Sequence, residues 1–367
     1  RTSTESMIRS VENYLKTNFT VIESSSPLLS DVSVMLSNSA YNEKGATTLF
    51  CVIYDQLKVK HELVITCDRT DTPFDEKFEA YNFLDRSFLY FPEVGKYIEP
   101  VDNSYRLGYI SPECMNTYGL FIKSVEVGDF VTGVGRIKKI KPLASDRTTS
   151  NLYTSVEFDT EFDSPTYEIR KESFGYYAYL QSYYDFVKEE DKREELTKSS
   201  IEYIDQEGDI EDLKVANEGG NNFGVKPLII SANVETDKFL EIAGTKYLFK
   251  VGELIGPQME LYQEEKRELP VQSDYNRAYH RELTFNIPQG YKIANLEDIN
   301  MNITHQTDGD IDLAFISTFK QEGSTIKITI DEYYDLMDMP KEDYESYQDV
   351  VNAAADFNKI VLIYEPI

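Results

Sequence analysis

The chain has 367 residues, 41% of them hydrophobic, enough for two or three domains that each bury a core. With 65 acidic and 37 basic residues its formal charge is −28, which opposes nucleic acid and anionic membrane surfaces as partners. Cys51, Cys67 and Cys114 form no C-x-x-C and the three histidines are scattered, so neither a metal site, a redox pair nor a cofactor is expected. No apolar run approaches the ~20 residues of a membrane-spanning helix.

An amphipathic helix is expected over residues 6–17, with Met7, Ile8, Val11, Tyr14 and Leu15 on one face. A serine-rich joint, 24–30, leads to a second helical segment at 32–38. Residues 41–69 then read as a loop, a helix of about three turns and a strand. Leu49, Ile53 and Leu57 recur at helical spacing with Ala46 and Phe50 beside them. Thr47 and Thr48 are the capping types expected at the start, and Lys58 suits the C-terminal end of the dipole. The run Leu63-Val-Ile-Thr66 is β-branched enough for a buried strand. After a polar loop at 69–77, Phe88–Phe91 and Lys96–Ile98 flank Pro92-Glu-Val-Gly95 as a hairpin.

The order loop, helix, strand, loop, hairpin resembles the transglutaminase-like domain of a family of Bacteroidetes proteins. In that family one β domain of unknown function precedes the core and another follows it. The resemblance implies a nucleophilic Cys just before the core helix, where the dipole and unpaired N–H groups favour thiolate. It also implies a His opening the first hairpin strand after an aromatic-Asn pair, and an Asp before Pro on the second strand. Here Glu43 stands at the Cys position, Tyr81-Asn82 matches the aromatic-Asn pair, and Phe83 takes the place of His. Tyr97-Ile-Glu99-Pro100 puts Glu99 at the Asp position. Every departure falls on the chemistry while the hydrophobic frame survives. The resemblance therefore implies an α+β fold with a transglutaminase-like (papain-like cysteine protease) core, residues 1–141, that has lost its triad. It also implies export to the periplasm or cell surface. The chain opens at Arg1 rather than Met and is read as a fragment without its targeting segment.

Residues 118–140 alternate and are broken by glycines, so they are expected to be β. The stretch 151–170 alternates more strictly, with a turn expected at Asp163-Ser-Pro165, and opens a β-sandwich-type domain with helical insertions over 142–367. This domain divides naturally into 142–270 and 271–367. Residues 174–206 read as helix, with the charge run 188–195 as a solvated face. Strands are expected at 226–234, 246–251, 281–287, 311–319 and 325–334, a helix at 341–358 and a closing strand at 360–364. The turn Ile287-Pro-Gln-Gly-Tyr291 and the ending at 352–360 resemble the C-terminal β domain of the same family. No internal repeat is evident.

Cys51 is the one rival nucleophile, but it lies beyond the first helical turn and has no base in view. Cys67 and Cys114 read as packing thiols. Glu43 and Glu99 could form an acid–base pair only if their environments separated their pKa values; ordinary surface carboxylates are the simpler reading. Asp308, Asp310 and Asp312 alternate as in some calcium loops, yet the following Gly and distant Glu of an EF-hand are missing, so an acidic β-turn is expected. Two functions follow. One is a non-catalytic binding or scaffolding protein of the cell envelope, holding a protein segment, peptide or glycan against Tyr81, Asn82 and Phe83. The other is a cysteine peptidase or amide transferase using Cys51 or another nucleophile.

Overall fold

Ser3 accepts a hydrogen bond from the Ser6 amide at 3.1 Å and so starts the first helix, α1 (Thr4–Asn18). The computed structural model describes residues 3–78, 80, 82–162, 165–202, 206, 208–262, 267–307 and 309–367, and the fold is mixed α+β. Two compact units divide the chain: Arg1–Pro142 with Ala178–Val187 and Glu218–Pro227, and Leu143–Tyr177 with Lys188–Asn217 and Leu228–Ile367. A single cut of the sequence does not describe that division. The expected turn at Asp163-Ser164 lies outside the described residues.

In the first unit α1 buries Ile8 and Leu15 but leaves Tyr14 exposed; its inner face is completed by the charged pair Glu12 and Lys16. Short strands β1 (Thr20–Val21) and β2 (Ala40–Tyr41) pair in parallel. Between them a 3-10 turn, Pro27–Ser30, precedes α2 (Val32–Asn38), which is capped by Asp31. The central helix, α3 (Glu43–Gln56), begins earlier than the threonines suggest. Asn42 is its cap, accepting from the Gly45 amide at 2.8 Å, while Thr47 and Thr48 sit inside and bond back to the carbonyls of Glu43 and Lys44. A Cβ on Gly45 would lie 2.0 Å from the Leu29 carbonyl oxygen, so the close approach of the 3-10 turn selects glycine. Ala46, Leu49, Phe50 and Tyr54 are buried, but Leu57 is exposed because the helix has ended there and Lys58 turns left-handed at φ 58°.

This helix packs on an antiparallel sheet through Leu89, Phe91 and Ile98. The strands are β3 (Glu62–Thr66), β4 (Arg86–Phe91), β5 (Lys96–Ile98), β6 (Thr117–Val127) and β7 (Phe130–Ile140), in the order β5-β4-β3-β6-β7. The one-turn helix α4 (Leu180–Tyr183) also belongs to this unit.

The second unit is built on eight strands. Before the short helix α5 (Glu190–Lys198) come β8 (Thr149–Val156) and β9 (Thr166–Phe174); after it come β10 (Asp209–Ala216) and β11 (Leu228–Glu235). The helix expected over 174–206 is therefore corrected. β9 runs to Phe174, Gly175 takes φ 64° into a 3-10 turn, and among the described residues only short helices follow. Next come β12 (Leu240–Ala243), β13 (Lys246–Phe249), β14 (Val271–Gln272), β15 (Arg277–Asn286), β16 (Tyr291–Ile293) and β17 (Met301–Thr307). The last elements are β18 (Asp310–Glu322), β19 (Thr325–Tyr334), β20 (Asp338–Met339), α6 (Tyr344–Asn358) and β21 (Leu362–Pro366).

The large sheet has the order β10-β11-β9-β8-β15-β19-β18-β17, with β8 and β15 parallel at its centre. A smaller sheet, β12-β13-β21-β16, meets it through aromatic rings: Phe249 lies 5.2 Å from Phe285 and 5.0 Å from Phe158. The small residues Ala353, Ala354 and Ala355 of α6 are buried, and Phe357 meets Phe315 of β18.

Candidate functional site

The start of α3 and the hairpin strands β4 and β5 hold the positions at which the sequence predicts degenerate chemistry. Glu43 is the first residue of α3 and is exposed, where its charge complements the helix dipole. Asn82 is exposed, and Phe83 is half-buried with its ring 6.1 Å from Phe74. Tyr81 lies outside the described residues. Phe83 also precedes the strand: β4 begins three residues later, at Arg86. The side chain that β4 offers to the opening turns of α3 is Ser87, whose hydroxyl is 3.2 Å from that of Thr47. No hydrogen bond, ion pair or ring contact joins any two of Glu43, Phe83 and Glu99.

Glu99 is the buried member of the set. It accepts from the Ser111 amide at 2.7 Å and from the Ser111 hydroxyl at 2.8 Å. Burial pushes its pKa up, and the Ser111 donors pull against that shift. Its neighbourhood was not legible as charged. Glu12 and Lys16, one helical turn apart on α1, form a sealed ion pair at 3.0 Å. Glu12 accepts from the Leu107 amide at 2.8 Å, and Lys16 donates to the Tyr105 carbonyl at 2.9 Å. The loop from Glu99 to Ser111 is thus fastened at Tyr105 and Leu107 to α1, and at its own two ends to itself. Spacing i, i+4 is the only sequence signal of this pair, and it reads equally as a surface pair.

The three thiols are all shifted toward the protonated form. Cys51 is half-buried, and burial, with Asp55 nearby, pushes it up to about 11. No hydrogen bond joins its sulfur to His61, whose Nδ1 is engaged with the Val59 carbonyl at 2.9 Å. Cys67 and Cys114 are buried, and burial raises both. In the second unit, Asp310 is exposed at the start of β18. Asp312 is buried, 2.7 Å from Nδ1 of His305, and Asp308 lies outside the described residues. Among the described residues, no three His, Cys, Asp or Glu side chains are grouped to hold a metal ion, and no helix is long and apolar enough to cross a membrane.

A family model described as a domain of unknown function with a solved structure, DUF3858, matches residues 251–364. That segment is of the α+β second unit. No curated protein matches the chain. Among solved structures, one described as "a putative protease from Parabacteroides distasonis" is similar at 9% identity and a TM-score of 0.48, over 98% of this chain and 52% of that one. The chain spans about half the length of that protein.

Proposed function

We propose that this chain is a non-catalytic, transglutaminase-like binding or scaffolding protein of the bacterial cell envelope, with Tyr81, Asn82 and Phe83 as its ligand-binding residues. The observation that carries the reading is the pairing at the start of α3. The helix turns its hydroxyl Thr47 toward another hydroxyl, Ser87, with neither thiol nor imidazole between them. Two alcohols without a base make no nucleophile at neutral pH. Glu99, which would orient an imidazole in an active relative, instead holds Ser111. An aromatic ring at Phe83 suits stacking on a peptide or sugar ring rather than proton transfer.

The competing reading, a cysteine peptidase or amide transferase, rests on Cys51, whose thiol is pushed up to about 11. Labelling of the native protein with iodoacetamide, read by intact mass at neutral pH, separates the two. Cys51 is expected to react roughly a hundredfold more slowly than a free cysteine of ordinary pKa. A rapidly labelled thiol would overturn the non-catalytic reading. For the binding surface, peptide and glycan arrays are the screen. Phe83→Ala is expected to weaken any captured ligand by about tenfold, the loss of one aromatic contact with its burial. Unchanged affinity removes this surface from the proposal.

A further inference from the structure

The second unit contains a cleft of about 680 Å³, within the range that holds small-molecule ligands. Its floor comes from neighbouring strands: Arg277, Tyr279 and Arg281 alternate along β15, and Glu332 and Tyr334 stand opposite on β19. Tyr347 of α6 and the segment from Ile255 to Met259 form further walls. Among the described residues three cations and two carboxylates line the cleft, a net charge of +1 in a chain whose total is −28. Such a reversal is maintained against the field of the whole molecule and attracts an anion locally.

The two arginines on β15 are used differently. Arg281 is sealed, 5% exposed, and donates to Glu332 at 2.7 Å; Tyr334 donates to the other oxygen of the same carboxylate at 2.9 Å. That acid is therefore already satisfied. Among the described residues no carboxylate pairs with Arg277, which has the Tyr347 hydroxyl as a hydrogen-bond partner. It lies over the Tyr334 ring at 4.1 Å, with the hydroxyls of Tyr279, Tyr347 and Tyr177 as its electrostatic neighbours. Burial raises the pKa of Tyr177 and Tyr334, so these remain neutral hydroxyls at physiological pH and do not neutralise the guanidinium. A guanidinium held over a ring, facing a cleft and without a counter-ion among the described residues, presents donors suited to a carboxylate.

We infer that the cleft around Arg277 binds a small organic monocarboxylate. Charge selects the class. One negative charge neutralises the lining, whereas a phosphate dianion would leave an excess beside Glu332 and Asp274 in an already acidic protein. Tyrosine rings and serine and amide groups around the cleft suit a hydroxylated or amide-bearing body. Two sources share this chemistry, a uronic acid and the free C-terminus of a short peptide, and the binding experiment distinguishes them. This inference is independent of the surface at Phe83.

The test is calorimetric titration of the full chain at millimolar ligand, in low salt. One arm compares D-glucuronate with D-glucose, a second compares N-acetyl-Ala-Ala with its C-terminal amide, and a third uses inorganic phosphate. Binding by either acid, with its neutral twin at least about tenfold weaker, supports the cleft and names the source, because a charge-assisted pair is at stake. Arg277→Gln should lower that affinity at least about tenfold. Gln272→Glu, at an exposed position of the cleft wall, leaves Arg277 in place and should weaken it about threefold by charge alone. Failure of both acids to bind, equal binding by a neutral twin, tighter binding of phosphate, or indifference to both variants would each overturn the inference.

Discussion

Both units bury an acid–base pair, and the two pairs are built for different purposes. In the first unit Glu12 and Lys16 sit on one helix and spend their remaining hydrogen-bonding capacity on the backbone of Leu107 and Tyr105. In the second, Arg281 and Glu332 come from adjacent strands, Glu332 also accepts from the Tyr334 hydroxyl, and the pair borders a cleft holding another arginine that has no acid among the described residues. A buried charge satisfied by main chain fixes a loop. A buried charge satisfied by side chains leaves room for a ligand. Burial of ionic groups by itself does not identify a functional site; what their spare donors and acceptors touch is the better guide.

The largest expected effects test this contrast. Glu12→Gln and Glu332→Gln each leave a cation without its acid and are expected to destabilise by about 3–5 kcal/mol in urea denaturation. The apolar double replacements should then diverge. Glu12→Leu with Lys16→Met orphans the Leu107 amide, about 1–3 kcal/mol, and also removes the carboxylate that faces the buried Arg106 guanidinium, so little is recovered. Glu332→Leu with Arg281→Met orphans one tyrosine hydroxyl and should recover more. Equal recovery in the two units would break the comparison.

A smaller effect is expected at two glycines that admit backbone. A Cβ on Gly252 would lie 2.1 Å from the Phe357 carbonyl oxygen and 2.6 Å from that of Asn358, at the end of α6. On Gly45 the nearest obstacles are the Leu29 carbonyl in a short turn and the pliable Met35 side chain. Alanine at either site should cost about 1–3 kcal/mol, with the greater loss at Gly252. Thermal unfolding of the two variants ranks them.

The smallest effect is a pH dependence. Burial raises the folded-state pKa of Glu99 above its unfolded value. Over that interval the folded state binds more protons than the unfolded one, so the contribution is present at low pH and is lost as pH rises through the folded pKa. Stability of the parent relative to Glu99→Gln is therefore expected to fall as pH rises above the ordinary carboxylate range. A flat difference would show that the Ser111 donors fully compensate burial.

The hairpins were legible because strict alternation and glycine turns are local. Gly95 takes φ 66° between β4 and β5, and Gly323 takes φ 64° between β18 and β19. The helices α1, α2, α3 and α6 were legible from their period, although the cap of α3 was not. Asn42, Thr47 and Thr48 are all capping types, and the choice is made by the turn at Leu29, far along the chain. Strands β10 and β17 carry mixed patterns and are stabilised by their neighbours; β10 even bends where Asp212 takes φ 50°. At the candidate site, Glu43 and Glu99 could be numbered from sequence, but Ser87 and Ser111 could not, because tertiary approach alone brings them to Thr47 and Glu99. The cleft left a fainter trace: Arg277, Tyr279 and Arg281 at alternate positions put two cations on one face of a strand.

The parallel pairing of β8 with β15 joins segments separated by the chain from Val156 to Arg277. The matched segment, 251–364, begins inside that excursion and includes β15 but not β8. Excised at those limits, it would carry the middle of a sheet as a raw margin, with the main-chain groups of β15 open to a second molecule. A usable recombinant fragment of this region should begin before Thr149, and synthesis on the ribosome, which supplies β9 to one edge of β8 early, must leave the other edge open for over a hundred residues before β15 emerges.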